Sequence, residues 1–354
     1  MKDITSVDSN FEIKTSITQE GIRFFDPRLA PFSIHGVKYE DGRYRRMPYG
    51  VASTVSESVE YLHSNTAGGR VRFKTDSPYV AISTKLCDVS RLASFALTGS
   101  ASFDIYAKNE RGVTYINSFC PFFEMKDGYD SIIYFGSSEM REITIGFPLY
   151  SAVTSLYVGV DENAALLEAT PYENTAPIVY YGSSITQGGC ASRPGNSYES
   201  LIARRFNMDF VNLGFSGSAK AEPEIAEYVK SLDMSVFVYD YDHNAHSVDY
   251  LRETHERMFK TVRSAHPDLP VIMMSRPVYD PNDDEKARIE VIRETYQNAL
   301  DAGDTNVYFI EGRELMALAR DEGLVDACHP NDLGFASMAA AIIPVMEKIF
   351  AKTE

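Results

Sequence analysis

Four short polar clusters in the second half of this 354-residue chain carry side chains suited to acyl transfer. They are Gly182-Ser183-Ser184-Ile185-Thr186-Gln187-Gly188-Gly189, Asn212-Leu213-Gly214-Phe215-Ser216-Gly217-Ser218, Asp240-Tyr241-Asp242-His243-Asn244-Ala245 and Asp326-Ala327-Cys328-His329-Pro330-Asn331-Asp332. A serine hydroxyl is a poor nucleophile until a neighbouring imidazole takes its proton. The imidazole in turn needs a carboxylate to fix its tautomer and stabilise its cationic form. Asp326 and His329, three apart on a loop or single turn, can set that carboxylate against that ring. The negative oxygen of a tetrahedral intermediate needs donors already in place, and a glycine N–H with an asparagine amide suits this task.

Such clusters work only if the fold gathers them. Each of the first three directly follows a short apolar or β-branched run: Ile178–Tyr181, Phe210–Leu213 and Ser235–Tyr239. Val271–Met274 and Val307–Ile310 are two more such runs. Helical patterns lie between them, around Tyr198–Phe206, Pro223–Ser231, Val248–Ala265 and Asp284–Ala302, with a last one from about Leu333 to Phe350. Strand–helix alternation implies a five-stranded parallel sheet covered on both faces, with ligand chemistry at the carboxyl ends of its strands. The serine turn is expected between strand and helix, with helix-start N–H groups at hand.

The first half reads differently. Arg70–Lys74, Tyr79–Thr84, Ser102–Tyr106, Ser131–Phe135 and Ser155–Val160 are β-branched and aromatic, several of them alternating, with turn residues between. An all-β sandwich or jelly roll is expected over 1–172, followed by an α/β domain over 173–354. The join falls in Ala169-Thr170-Pro171-Tyr172-Glu173-Asn174-Thr175-Ala176-Pro177.

As a set, the four clusters resemble the SGNH/GDSL hydrolase superfamily over about residues 177–354. GSSITQG resembles its first block, so the nucleophile carries over to Ser184. Ser216-Gly217 resembles the second block, which implies Gly217 in the oxyanion hole in preference to Gly214. Asn244 matches the third block and Asp326 with His329 the last. The sequence departs from the family pattern at Ser183, where Asp is usual, and at Asp242-His243-Asn244-Ala245, where Gly-x-Asn-Asp is usual. Asp240–Ala245, Ser275-Arg276-Pro277 and Tyr44-Arg45-Arg46-Met47-Pro48 resemble a two-domain subgroup in which a β-sandwich precedes the catalytic domain. That layout is similar to carbohydrate acetylesterases, including the family-2 type. The resemblance implies a serine esterase that removes small acyl groups from oligosaccharides without metal or organic cofactor. An acyltransferase using the same Ser-His-Asp chemistry is the alternative, and a sugar-binding protein with a decayed catalytic half is a third reading.

Three further residues are candidates for substrate contact: His243 beside Asn244, and Cys190 and Arg193 on the Gly188–Gly195 loop. Arg276 is expected in a structural salt bridge. His243 and His246 form an HxxH with no third ligand within reach, so no metal site is expected. Cys87, Cys120, Cys190 and Cys328 contain no CxxC pair and read as reduced thiols. The formal charge of −16 disfavours nucleic acid and anionic membrane as partners. No uninterrupted apolar run approaches the roughly 20 residues of a membrane span, and the N-terminus lacks a secretory pattern, so a cytoplasmic protein is expected.

Overall fold

The computed structural model describes residues 15–109 and 112–351. The first half is built on two antiparallel sheets. One orders its strands Ile22–Phe25, Ser151–Asp161, Tyr79–Val89, Gly128–Tyr134; the other orders Leu166–Leu167, Arg70–Thr75, Arg141–Gly146, Phe103–Asn109, Gly112–Phe119, with Ser33–His35 added on Arg70–Thr75. Period-2 alternation assigns the faces. Val71, Phe73, Ile143, Ile145 and Ile105 turn inward onto Val80, Ile82, Val153, Val158 and Val160 of the facing sheet. Arg72, Thr144 and Tyr106 are cross-strand neighbours on the opposite, outward face.

In the second half the parallel strands lie in the order Met208–Gly214, Asn174–Gly182, Val236–Asp240, Val271–Met274, Val307–Ile310. Each strand feeds both layers. Val179, Tyr181, Phe237, Tyr239 and Met273 pack toward helices Pro223–Lys230, Val248–Arg263 and Asp283–Asp301. Ile178, Tyr180, Val238, Ile272 and Met274 pack toward Tyr198–Phe206 and Asp332–Ala351. This is the three-layer α/β/α arrangement expected from the alternation. The last helix is apolar enough in length and composition to cross a membrane, with mean hydropathy 1.5. Here it is a core helix, burying Phe335, Met338, Ile342, Met346 and Ile349.

Two short helices in the first half, Tyr49–Val55 and Glu57–Leu62, are absent from the sequence expectations. Ser56 ends one and caps the other, its hydroxyl accepting the Val59 N–H at 3.2 Å. Their apolar side chains Ala52, Val59 and Leu62 join the same buried cluster as Leu213, Phe215, Ile225 and Val229. The two halves therefore share a core as well as a surface.

Candidate active site

Strand Asn174–Gly182 ends at a residue that must be glycine. A Cβ on Gly182 would sit 1.8 Å from Asp240 Oδ1 and 2.2 Å from Thr186 Oγ1. Beyond it the chain forms successive turns through residue 190, and the helix begins at Tyr198 as expected. Ser183 Oγ accepts the Ile185 N–H at 3.1 Å, Gln187 N donates to Ser183 O at 3.0 Å, and Gly189 N donates to Ser184 O at 2.8 Å. The donors near Ser184 are thus turn amides, not the end of a helix.

Ser184 Oγ lies 2.9 Å from His329 Nε2, across 145 residues of sequence. His329 Nδ1 lies 2.9 Å from Asp326 Oδ2 and 3.1 Å from Oδ1. A carboxylate can only accept, so Nδ1 carries the ring proton and Nε2 is left to accept from the serine. Asp326 Oδ1 also accepts the His329 and Cys328 amides at 2.8 and 3.2 Å. Burial pushes the Asp326 carboxyl up, but these bonds to His329 outweigh it and hold the group below the usual carboxylate range. The turn between the two places Ala327 at φ +57°, a conformation uncommon outside glycine. Arg276 Nη2 donates to Ala327 O at 2.8 Å while its Nη1 pairs with Glu285 at 2.7 Å. Its expected salt bridge is therefore also a brace on the Asp326–His329 turn. On the other side of the ring, a Cβ at Gly189 would stand 3.4 Å from His329 Cδ2 and 2.9 Å from Ser184 O.

The second cluster is locked to the first by Gln187 and Asn212. Asn212 Nδ2 donates to Thr186 O at 2.6 Å, and its Oδ1 accepts Gly214 N at 2.9 Å. Gln187 Oε1 accepts Ser216 N at 3.1 Å, and its Nε2 donates to Asn65 Oδ1 at 3.1 Å. Gly214 is buried against the Thr186–Gln187 backbone, with its amide already used. Gly217 is exposed at φ +65° with open space where a Cβ would be, and its amide has no acceptor among the described residues. Asn244 Oδ1 accepts Ala219 N at 3.3 Å, which leaves its NH2 as the free donor.

The remaining candidates separate. His243 Nδ1 lies 3.4 Å from Asp242 Oδ1, and its Nε2 is buried without a partner among the described residues. Burial raises the Asp242 carboxyl, yet contact with His243 keeps it below its ordinary value. Cys190, at φ +74°, sets its Sγ 3.9 Å from Ser94 Oγ of the first half. Arg193 does not line the Ser184 cleft as expected. Its guanidinium is held by Asp104 at 3.4 Å and the Tyr106 hydroxyl, and stacks 3.8 Å from the Tyr115 ring. A cation released into a rim loop finds the nearest buried carboxylate, and here the sandwich supplies it.

Three contributors were not anticipated. Tyr150, from the sandwich half, donates its hydroxyl to Ser184 O at 3.1 Å. Asp240, buried under the serine turn, accepts the Thr186 hydroxyl, and burial pushes its carboxyl up to about 8. Arg46, buried without a carboxylate partner, donates to the carbonyls of Leu62, Asn65, Asn212 and Gly214. The Arg46 signal was present in Tyr44–Pro48, and Gln187 stands in GSSITQG. Tyr150 lies in no motif.

Comparison with known proteins follows the same division. Residues 175–347 match the GDSL-like Lipase/Acylhydrolase family, and residues 22–166 match the N-terminus of the esterase SGNH-hydrolase type. Among curated proteins, none matches. A Bacteroides ovatus ATCC 8483 protein described as a GDSL-like lipase superposes with TM-score 0.84 at 28% identity, covering 93% of this chain and 98% of that one. Salicylyl-acyltransferase SsfX3 from a tetracycline biosynthetic pathway gives 0.75 at 18%, covering 94% and 98%. A family two carbohydrate esterase from Cellvibrio japonicus gives 0.61 at 12%, covering 94% and 99%.

Proposed function

We propose, from the match of residues 175–347 to the GDSL-like lipase/acylhydrolase family, that this protein is a serine esterase releasing acetyl groups from carbohydrate, with Ser184 as nucleophile. The observation that carries the reading is the unbroken hydrogen-bonded line from Ser184 Oγ through His329 to Asp326.

In this reading His329 Nε2 takes the Ser184 proton as Oγ attacks the ester carbonyl, and Asp326 stabilises the imidazolium that results. The oxyanion is received by the Ser184 and Gly217 amides and the Asn244 NH2. Each such donor is worth about 10²–10³ in rate. His329 then returns the proton to the departing sugar oxygen. Water repeats the cycle on the acyl-enzyme, releasing the acid and restoring the serine. The two-half layout shared with family two carbohydrate esterases supports a carbohydrate ester as substrate, and a likeness at that identity is one of fold.

The fold shared with SsfX3 favours a second reading, in which an acceptor hydroxyl replaces water. Incubation with acetylated oligosaccharides, with and without candidate acceptors, separates the two: free acetate supports the hydrolase, acylated acceptor the transferase. Ser184→Ala that stays folded and still turns over nitrophenyl acetate at the wild-type rate would sink both. A preference for nitrophenyl octanoate over acetate would overturn the acetyl assignment alone.

A further inference from the structure

Away from Ser184, the outward face of the second sandwich sheet and helix Tyr198–Phe206 enclose a cavity of about 440 Å³. Ser184, Asp326 and His329 do not line it. Its floor is set by register: Arg72, Thr144 and Tyr106 stand side by side on strands Arg70–Thr75, Arg141–Gly146 and Phe103–Asn109, on the face opposite the sandwich core. Its roof is the helix surface around Leu201 and Arg204. The volume falls in the about 300–1,000 Å³ range of small-molecule sites.

The charge of this cavity runs against that of the chain. Five cationic side chains line it against two carboxylates, in a protein of net charge −16. Three of the cations are already matched: Arg70 by Asp209, Arg72 by Glu142 at 2.8 Å, and Arg205 by Glu347 at 2.9 Å. Asp104 Oδ2 accepts Gly195 N at 2.7 Å and faces Arg193 at 3.4 Å, while its Oδ1 is buried without a partner among the described residues. Lys108 is exposed and, like Arg204, makes no carboxylate ion pair among the described residues; Arg204 is the one packed against the cavity wall. Its guanidinium stacks 4.3 Å from the Tyr106 ring and donates Nη2 to Gly195 O at 2.7 Å. Burial lowers its pKa, and the nearby Asp104 charge offsets that only in part. A planar guanidinium with unused donors, clamped against a ring at the wall of a half-open cavity, is preorganised for a carboxylate. The apolar walls at Phe147, Val113 and Leu201 leave room for an organic body beyond the charge.

We propose that this cavity binds a small organic carboxylate, of the size of a single sugar acid, through Arg204. The site is separate from the ester chemistry and stands whether or not that reading holds.

Calorimetric titration of the folded protein tests it, with D-glucuronate as probe, D-glucose as its neutral twin and inorganic phosphate as a second anion. One saturable glucuronate site is expected, at least tenfold weaker in Arg204→Gln and unchanged in Ser184→Ala. Thr144→Phe keeps every charge and fills the cavity, so it must also weaken binding, with melting curves confirming that both variants fold. Absence of glucuronate binding, equal binding of glucose, or wild-type binding by both cavity variants overturns the proposal. Phosphate binding without glucuronate binding overturns the carboxylate assignment.

Discussion

The Tyr150 hydroxyl donates to the carbonyl of Ser184 at 3.1 Å, so the sandwich half reaches the backbone of the proposed nucleophile. That carbonyl also accepts Gly189 N at 2.8 Å. Removing the hydroxyl leaves the turn closed from one side only. Tyr150→Phe is expected to lower kcat about tenfold with KM little changed, and to cost about 1 kcal/mol of stability. Steady-state kinetics alongside denaturant melts check this; unchanged kcat would show that the contact only holds the halves together.

Asn244 and Gly217 separate chemistry from backbone strain. Asn244→Ala removes the NH2 donor and is expected to lower kcat by about 10²–10³, while loss of the Oδ1 that accepts Ala219 N costs about 1 kcal/mol of stability. Gly217→Ala meets no atom within 4 Å, but φ +65° disfavours an L-residue by about 1–2 kcal/mol. Its melting temperature should therefore fall below that of the wild type. A wild-type melt would remove the conformational explanation for the glycine.

Arg46 tests how strongly the halves are joined. Its guanidinium is buried, and desolvation lowers its pKa to about 9. It satisfies four backbone carbonyls and stacks 4.9 Å from Phe215. Arg46→Leu relieves the buried charge but strands those acceptors, at about 1–3 kcal/mol each, so a net loss of about 3 kcal/mol is expected. Arg46→Lys should recover only part, because an ammonium offers three donors on one atom instead of a fork of five. Urea unfolding curves decide it.

His255 gives the stability a pH dependence of known sign. It is buried, with Nδ1 2.8 Å from Thr295 Oγ1 and its ring 4.7 Å from that of Tyr239, and burial lowers its pKa from 6.5 to about 3. Between those two values the unfolded chain binds a proton that the folded one refuses. Stability therefore falls as pH drops through this window, by up to about 1.4 kcal/mol per unit, and is unaffected by this group above it. In His255→Gln the slope of unfolding free energy against pH should be shallower from pH 6 to 4. An unchanged slope would mean the ring protonates in place.

The second half was legible because its signals are local. Val271–Met274 and Val307–Ile310 are strands with the bounds their apolar runs suggest, and the five main helices begin within one residue of expectation. In the first half, Arg141–Gly146 escaped notice: its outward residues Glu142, Thr144 and Gly146 make it look like a polar turn until the sheet pairs it on both edges. The helices at 49–62 are each under two turns, too short for a period to register. At the site, Asp326 and His329 are three apart and could be read together. The partners of Tyr150, Arg46 and Arg193 could not, because they lie 16 to 168 residues away, and only the packed fold sets those distances.

The helices at 49–62 leave the ribosome well before residues 213–229 exist to cover them. During synthesis their apolar faces have no home, and a chain cut between Leu167 and Asn174 would yield fragments with matching sticky surfaces instead of two independent folding units.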